Sequence, residues 1–444
     1  MYLQILRLTS LCGAFVVIVG CGNVSTNNGD GSGKGSGGSP TVVTFTVTGI
    51  APSVVATRVG SAPFSAATLT SGMVTISVPS DVSNFAVAYA CSASLPPSGL
   101  TGAAAAEQDV YEATTLDGSS FTGSCLGSIA PPPSPPATGT LTGSVDASAI
   151  PGVSSFDVEA VGSDGYGSAS ISLTDASSFG LAAATGANRV LVLAYNNVSS
   201  PPASSGSTTL VAARNFDDQV APGAVNGGSP IVLAASDETT SVPITYGALP
   251  AGFASQGTTA YLLNSNAGTG YILAAPATAH YPALPAGATE SGDYYGIRTL
   301  ASNGSELTSI FTTSPASVPI AFNFPASWSY AGPTPASTPV FDLIYSGFSG
   351  TNGIAYQAYW NWRPANFDGL YYTSVHATAN YLSGATQLTW ADVSGVAGFL
   401  SPPASGTDVQ WSAAVTQTTY SSQPVSSANS TVTSVSNNGS YVVP

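Results

Sequence analysis

The residues of this 444-residue chain that could do chemistry are few and scattered: four cysteines, two histidines, 22 carboxylates and five tryptophans. A serine nucleophile raised on an elbow needs Gly-x-Ser-x-Gly. The nearest approach, Gly347-Phe348-Ser349-Gly350, has the wrong spacing and falls in a turn-like stretch. Glycoside hydrolysis needs two carboxylates facing each other across a cleft, whereas Asp217-Asp218 and Asp237-Glu238 are adjacent pairs that read as solvated turn residues. Zinc needs clustered His and Cys, but His280 and His376 fall in different parts of the chain. His376 lies on the strand face opposite Val375 and Ala377 and is expected at the solvent. No Asp-x-Asp-x-Asp-Gly calcium loop occurs, and Asp117-Gly118 and Asp164-Gly165 read as ordinary turns. The sequence therefore assigns no catalytic residue, no metal site and no cofactor; calcium on loop carboxylates stays open without support from a motif.

The aromatic residues are distributed unevenly. All five tryptophans fall between Trp328 and Trp411, with Tyr356, Tyr359, Tyr371 and Tyr372 nearby. Exposed rings stack on sugars, so this region is a candidate glycan platform. On a strand from Ile354 to Arg363, alternation puts Trp360 and Trp362 on the apolar face with Ile354, Tyr356 and Ala358. That face is core. Tyr359 with Arg363, and Tyr372 with His376, are left as the candidate ligand platform.

Strands must carry these groups. Val43, Phe45 and Val47 alternate with Thr44, Thr46 and Thr48, and Val74, Ile76 and Val78 alternate with Thr75 and Ser77. Phe85, Val87, Tyr89 and Cys91 share the face of another strand. Period-2 patterning with turn residues every 8–12 positions predicts all-β, tandem β-sandwich domains.

The N-terminus has the parts of an export signal: Arg7, an apolar run from Leu11 to Val19, and small Gly20. The run is roughly 10 residues, about half the length that spans a bilayer. Ile18-Val19-Gly20-Cys21 resembles the lipobox of bacterial lipoproteins. The resemblance implies cleavage before Cys21, a diacylglyceryl group on its thiol, and an acyl-anchored protein of the cell envelope. Gly22, where an Asp would favour inner-membrane retention, points to the outer membrane. The Gly/Ser/Asn-rich stretch from Gly22 to Pro40 reads as a flexible tether, on the order of 25 Å in mean reach. With the signal and anchor cysteines set aside, Cys91 and Cys125 remain. In an exported chain they most simply form one disulfide, closing a loop of about 35 residues worth roughly 3–4 kcal/mol. A metal site is the alternative, though no histidine or third cysteine is near in sequence.

Only 7% of the chain is charged, yet its net charge is −15, because 22 acids face seven bases. Lys34 is the only lysine. Nucleic-acid binding, which requires clustered Lys and Arg against phosphates, is excluded. The membrane link is therefore expected through lipid, with a glycan or another envelope protein as partner.

The expected organisation is a signal at 1–20, the lipidated cysteine and tether at 21–40, a sandwich at 41–130 and a Pro-rich spacer at 131–137. A second sandwich at 138–236, a β-rich unit at 237–335, a sandwich at 336–425 and a flexible tail at 426–444 follow. Thr46-Val47-Thr48-Gly49 is echoed by Thr140-Leu141-Thr142-Gly143, and Ala88-Tyr89 by Ala194-Tyr195, so the second unit reads as a copy of the first. Both resemble the immunoglobulin-like or transthyretin-like modules of bacterial surface lipoproteins. The leading expectation is a non-catalytic binding or structural lipoprotein. A glycan-binding accessory protein and an envelope hydrolase with an unrecognised site are the alternatives.

Overall fold

The computed structural model describes residues 39–49, 51–91, 104–125, 138–162, 165–172, 178–198, 207–221, 225–227, 230–264, 269–274, 279–328, 330–343, 345–348, 353–364, 369–385, 387–420 and 430–444. The expected signal, Cys21, the tether as far as residue 38 and the Pro-rich spacer lie outside them.

The first unit contains β1 (Thr41–Gly49), β2 (Val54–Val59), β3 (Ser65–Ala66), β4 (Met73–Val78), β5 (Asn84–Cys91), β6 (Ala104–Thr114) and β7 (Ser120–Cys125). Alternation does what the sequence predicts: Val43, Phe45, Val47, Val74, Ile76 and Val78 are buried while their neighbours face outward. Each such aliphatic or aromatic side chain contributes about 1.5–3 kcal/mol when removed from water. β1 lies between antiparallel β4 and parallel β7. This small sheet packs on Phe85, Val87 and Tyr89 of β5. The Cys91–Cys125 disulfide joins β5 to β7 and so fastens the two sheets together. Tyr89 crosses the same gap, its hydroxyl accepting from the Ser124 amide at 3.0 Å. Gly123 leaves the room: a Cβ there would sit 2.5 Å from the Tyr89 hydroxyl and 2.9 Å from the Phe45 ring.

The second unit comprises β8 (Thr138–Asp146), β9 (Ser155–Gly162), β10 (Gly165–Ser172), β11 (Ser178–Ala184), β12 (Gly186–Val198), β13 (Ser207–Val220), β14 (Val225–Gly227) and β15 (Ile231–Val232). The third comprises β16 (Thr240–Tyr246), β17 (Ala254–Asn264), β18 (Thr269–Ala274), β19 (His280–Ala283), β20 (Asp293–Ser302), β21 (Glu306–Ser314) and β22 (Ile320–Phe322). The fourth comprises β23 (Val340–Asp342), β24 (Ile354–Trp362), β25 (Gly369–Thr378), a short helix α1 (Ala379–Leu382), β26 (Gln387–Thr389), β27 (Asp408–Tyr420) and β28 (Ser430–Val442).

One pairing scheme repeats through them. In units one to three the first strand pairs antiparallel with the fourth and parallel with the seventh; the fifth lies between the second and sixth, and the third joins the second. The fourth unit follows the same scheme through its six described strands. The Thr-x-Thr-Gly echo therefore falls on the equivalent first strands, β1 and β8, and the Ala-Tyr echo on the equivalent fifth strands, β5 and β12.

The units are not separate beads. A 12-stranded sheet runs β18-β17-β20-β21-β28-β27-β24-β25-β6-β5-β2-β3, from the third unit through the fourth to the first. β28 joins antiparallel to β21, and β25 joins parallel to β6. Residues 430–442, expected in a flexible tail, instead form the strand between units three and four. Backbone pairing on both sides holds this Ser/Thr/Asn-rich segment, which has little apolar surface of its own. Polar anchors reinforce the other seam. Asp117 accepts from Thr378 and Asn380, each at 2.7 Å, and Arg58 meets Glu112 at 2.5 Å and Tyr381 of α1 at 2.6 Å.

The second unit attaches differently. Val190, Val192 and Ala194 of β12 enter its own core, while Leu191 and Leu193 enter the core of the third unit. A strand covered on both faces reads as an unbroken apolar run, which explains Val190-Leu191-Val192-Leu193-Ala194. Arg189, forked onto Asp293 at 2.8 and 2.9 Å, pins the same junction.

Candidate functional site

The partner layers of the long sheet lie on opposite faces. The first unit's small sheet covers the face carrying Val87, Tyr89 and Tyr111. The fourth unit's apolar core, with Phe341, Leu388 and all five tryptophans in it or against it, covers the other face. Where the first unit's cover stops, a polar lattice continues across β6, β25, β24, β27 and β28. Direct cross-strand neighbours form one row of Glu107, Tyr372, Asn361, Gln410 and Ser440. A second row runs Tyr89, Asp109, Ser374, Tyr359, Ser412 and Asn438, and a third Tyr111, His376, Gln357, Ala414 and Ser436. Directly paired residues point to the same face, so the three rows share one surface. Burial falls along the second row, from Tyr89 (0% exposed) through Asp109 (6%) and Ser374 (4%) to half-buried Tyr359 and Ser412 and exposed Asn438.

The covered end is a closed hydrogen-bonded cluster. Ser374 Oγ donates a hydrogen bond to Asp109 Oδ1, and His376 Nε2 lies 2.9 Å from Ser374 Oγ. Because the serine hydroxyl hydrogen is engaged by the carboxylate, the serine oxygen accepts in the second bond and His376 Nε2–H donates. Tyr111 stacks on His376 with ring centroids 4.4 Å apart and planes 5° apart, and Phe45 packs on Tyr111 from the small sheet. Burial pushes the His376 pKa down to about 3, so the ring is neutral. Burial also pushes Asp109 up to about 6, against the opposing effect of hydrogen bonds from Ser374 and Tyr89. The Tyr89 and Tyr111 hydroxyls are raised by burial and by the Asp109 charge.

A serine, a histidine and an aspartate in contact invite comparison with a hydrolytic triad. The order of contacts is wrong for it. In a triad the histidine accepts the serine proton and the aspartate orients the histidine. Here the serine hydroxyl donates its hydrogen bond to the aspartate and not to the histidine, and all three side chains are buried beneath the first unit's cover. The arrangement ties two units together and offers no approach to a substrate.

Of the candidate platform, Tyr359 and Tyr372 are brought together: they stand half-buried on adjacent strands with ring centroids 5.9 Å apart and planes inclined by 34°. Burial raises both hydroxyl pKa values. Arg363 lies just past the end of β24 and is exposed. His376 does not reach solvent as expected, because β6 pairs alongside β25 and brings Tyr111 over its ring. Trp360 and Trp362 are in the core. Asp237, expected as a solvated turn residue, is buried, accepting from the Ala234 amide at 2.9 Å and from Arg214 at 3.4 Å. Glu107, Asp109 and Ser374 carried no sequence signal as site residues, since pairing between remote strands creates their neighbourhood.

Among the described residues no three His, Cys, Asp or Glu side chains converge as a metal site, and no helix is long and apolar enough to cross a membrane. No protein-family model and no curated protein matches the chain. Among solved structures, the chain is similar to the Bacillus anthracis TIE protein at 10% identity and a TM-score of 0.13, with 64% of this chain covered. It spans about half of that protein, 51%. It is also similar to a Ca2+-stabilized adhesin that helps an Antarctic bacterium reach out and bind ice, at 10% identity and a TM-score of 0.12, covering 92% of this chain and 99% of that one.

Proposed function

We propose that the protein is a lipid-anchored, non-catalytic binding protein of the bacterial cell envelope, attached to the outer membrane through Cys21. The observation that carries this reading is the unbroken sheet through the third, fourth and first units. Units joined by continuous strand pairing cannot hinge apart, so an extended face is held in fixed geometry, as a binding scaffold requires. The buried order of contacts among Asp109, Ser374 and His376 favours a scaffold over a hydrolase. The lipobox-like Ile18-Val19-Gly20-Cys21 supports the anchor, and the net charge of −15 favours a lipid link over adhesion to anionic headgroups.

The test is fractionation of cells producing the full chain or its Cys21→Ser variant, combined with labelling by a radioactive fatty acid. The wild type is expected in the membrane fraction and labelled, and the variant released and unlabelled. A Cys21→Ser chain that still sediments with membranes would refute the anchor.

A further inference from the structure

We infer that the open part of the polar lattice, on β24, β25, β27 and β28, is a docking surface for an uncharged carbohydrate chain. The inference rests on the binding-protein reading above and names the ligand class. The surface is open for a topological reason. The fourth unit's cover packs on the tryptophan face, and the third row stays buried at Ala414 and Ser436, so the open part is the first and second rows, with Tyr359 and Ser412 half-buried and Gln410, Asn438 and Ser440 exposed.

The chemistry of the face selects the occupant. Asn361, Gln410 and Ser412 each donate and accept hydrogen bonds, as a sugar hydroxyl does. Tyr359 and Tyr372 add ring faces on which the C–H side of a pyranose can lie. The direct neighbours in the three rows include the carboxylates of Glu107 and Asp109 and no lysine or arginine; a single cation, Arg363, lies exposed just past the end of β24, and the chain carries −15 overall. A polyanion, such as nucleic acid or a sulfated or uronic glycan, would be repelled. An apolar peptide would leave the amides and hydroxyls desolvated and unpaired, at a cost that its own burial does not offset. Strands spaced about 4.8 Å apart give a row across these four strands a span of roughly 14 Å, suited to a short run of sugar units in line.

The experiment is a glycan array probed with the full chain, carrying uncharged gluco-, manno- and N-acetylglucosamine oligomers beside uronic and sulfated oligomers of equal length. Retention on at least one uncharged series is expected. It should weaken about tenfold or more with Tyr359→Ala and be lost with Ser412→Trp, which blocks the face without touching the tryptophan core. Thermal unfolding of each variant guards against misreading a folding defect, and Gln410→Ala, at an exposed position, should weaken binding with stability unchanged. No retention of any uncharged oligomer, preference for the anionic series, or retention indifferent to both Tyr359→Ala and Ser412→Trp would overturn the inference. Failure of the envelope reading is separately visible. If Cys21→Ser releases the protein from membranes while the full chain retains no glycan, the anchor reading stands and only this ligand class is lost.

Discussion

Asp109 and Ser374, 265 positions apart in sequence, face each other across the parallel seam of β6 and β25, and the serine hydroxyl donates into the aspartate. A buried carboxylate at a junction is stabilised only while its donors are present. Ser374→Ala is expected to lower stability by about 1–3 kcal/mol. The loss should be larger at pH 8 than at pH 5, because only the ionised carboxylate needs the lost donor so strongly. Asp109→Asn in the same background should restore part of it. Denaturant titrations at the two pH values check this, and equal losses at both would show that Asp109 does not change protonation state between them.

His376 and Asp109 impose opposite pH dependences. The native state holds His376 neutral down to about pH 3, while the unfolded chain takes a proton near pH 6.5, so this histidine makes stability fall as pH drops through that interval. Asp109, raised to about 6 from an ordinary value near 3.9, binds its proton more readily in the native state, so stability rises as pH drops from about 6 to about 4. Between pH 4 and 6 the two slopes oppose each other. His376→Phe, which keeps a ring against Tyr111, should leave the Asp109 slope exposed and make the variant relatively more stable at pH 4.5 than at pH 7. Parallel stability–pH curves for wild type and variant would contradict the opposition.

Gly123→Ala should destabilise the first unit by about 1–3 kcal/mol, since the new methyl group meets the Tyr89 hydroxyl and the Phe45 ring. Adding Tyr89→Phe, which removes the hydroxyl, should recover part of the loss. Melting temperatures of the two variants decide the matter, and additive losses would mean that the Tyr89 hydroxyl is not the obstacle.

Removing residues 430–444 should split the long sheet at its middle. β21 and β27 would each lose a partner strand, exposing two unsatisfied edges. Limited proteolysis is expected to separate a fragment carrying the second and third units from one carrying the fourth. A truncated chain that resists cleavage as the full one does would show that the tryptophan core alone holds the fourth unit in place.

The parts of this architecture legible in sequence are those set by local alternation. β1, β4, β5, β24 and the start of β27 follow their period-2 patterns, the burial of Trp360 and Trp362 followed from Gln357, Asn361 and Arg363 opposite them, and Cys91–Cys125 followed from the count of remaining thiols. What was not legible depends on pairing between remote strands. β23 and β26 are three residues each, too short to show a period, so the fourth copy of the pairing scheme left almost no trace. β28 carries Ser434, Ser436 and Asn437 at buried positions because its neighbours supply the burial. Alternation puts His376 on the correct face, but nothing local shows that this face is closed, because β6, which closes it, comes from the first unit. The candidate site was half legible for the same reason: Tyr359 and Tyr372 were visible, and the carboxylates beside them were not.

Thr431 of β28 meets Thr312 of β21 across a separation of 119 residues. On a chain made from the N-terminus, the third unit must therefore wait, with β21 bare along one side, until nearly every later residue has been synthesised. A bare edge invites pairing with the wrong partner. The order of synthesis thus creates an interval in which the half-built sheet needs a chaperone, or a late start to its own folding, and β28 is the segment that ends that interval.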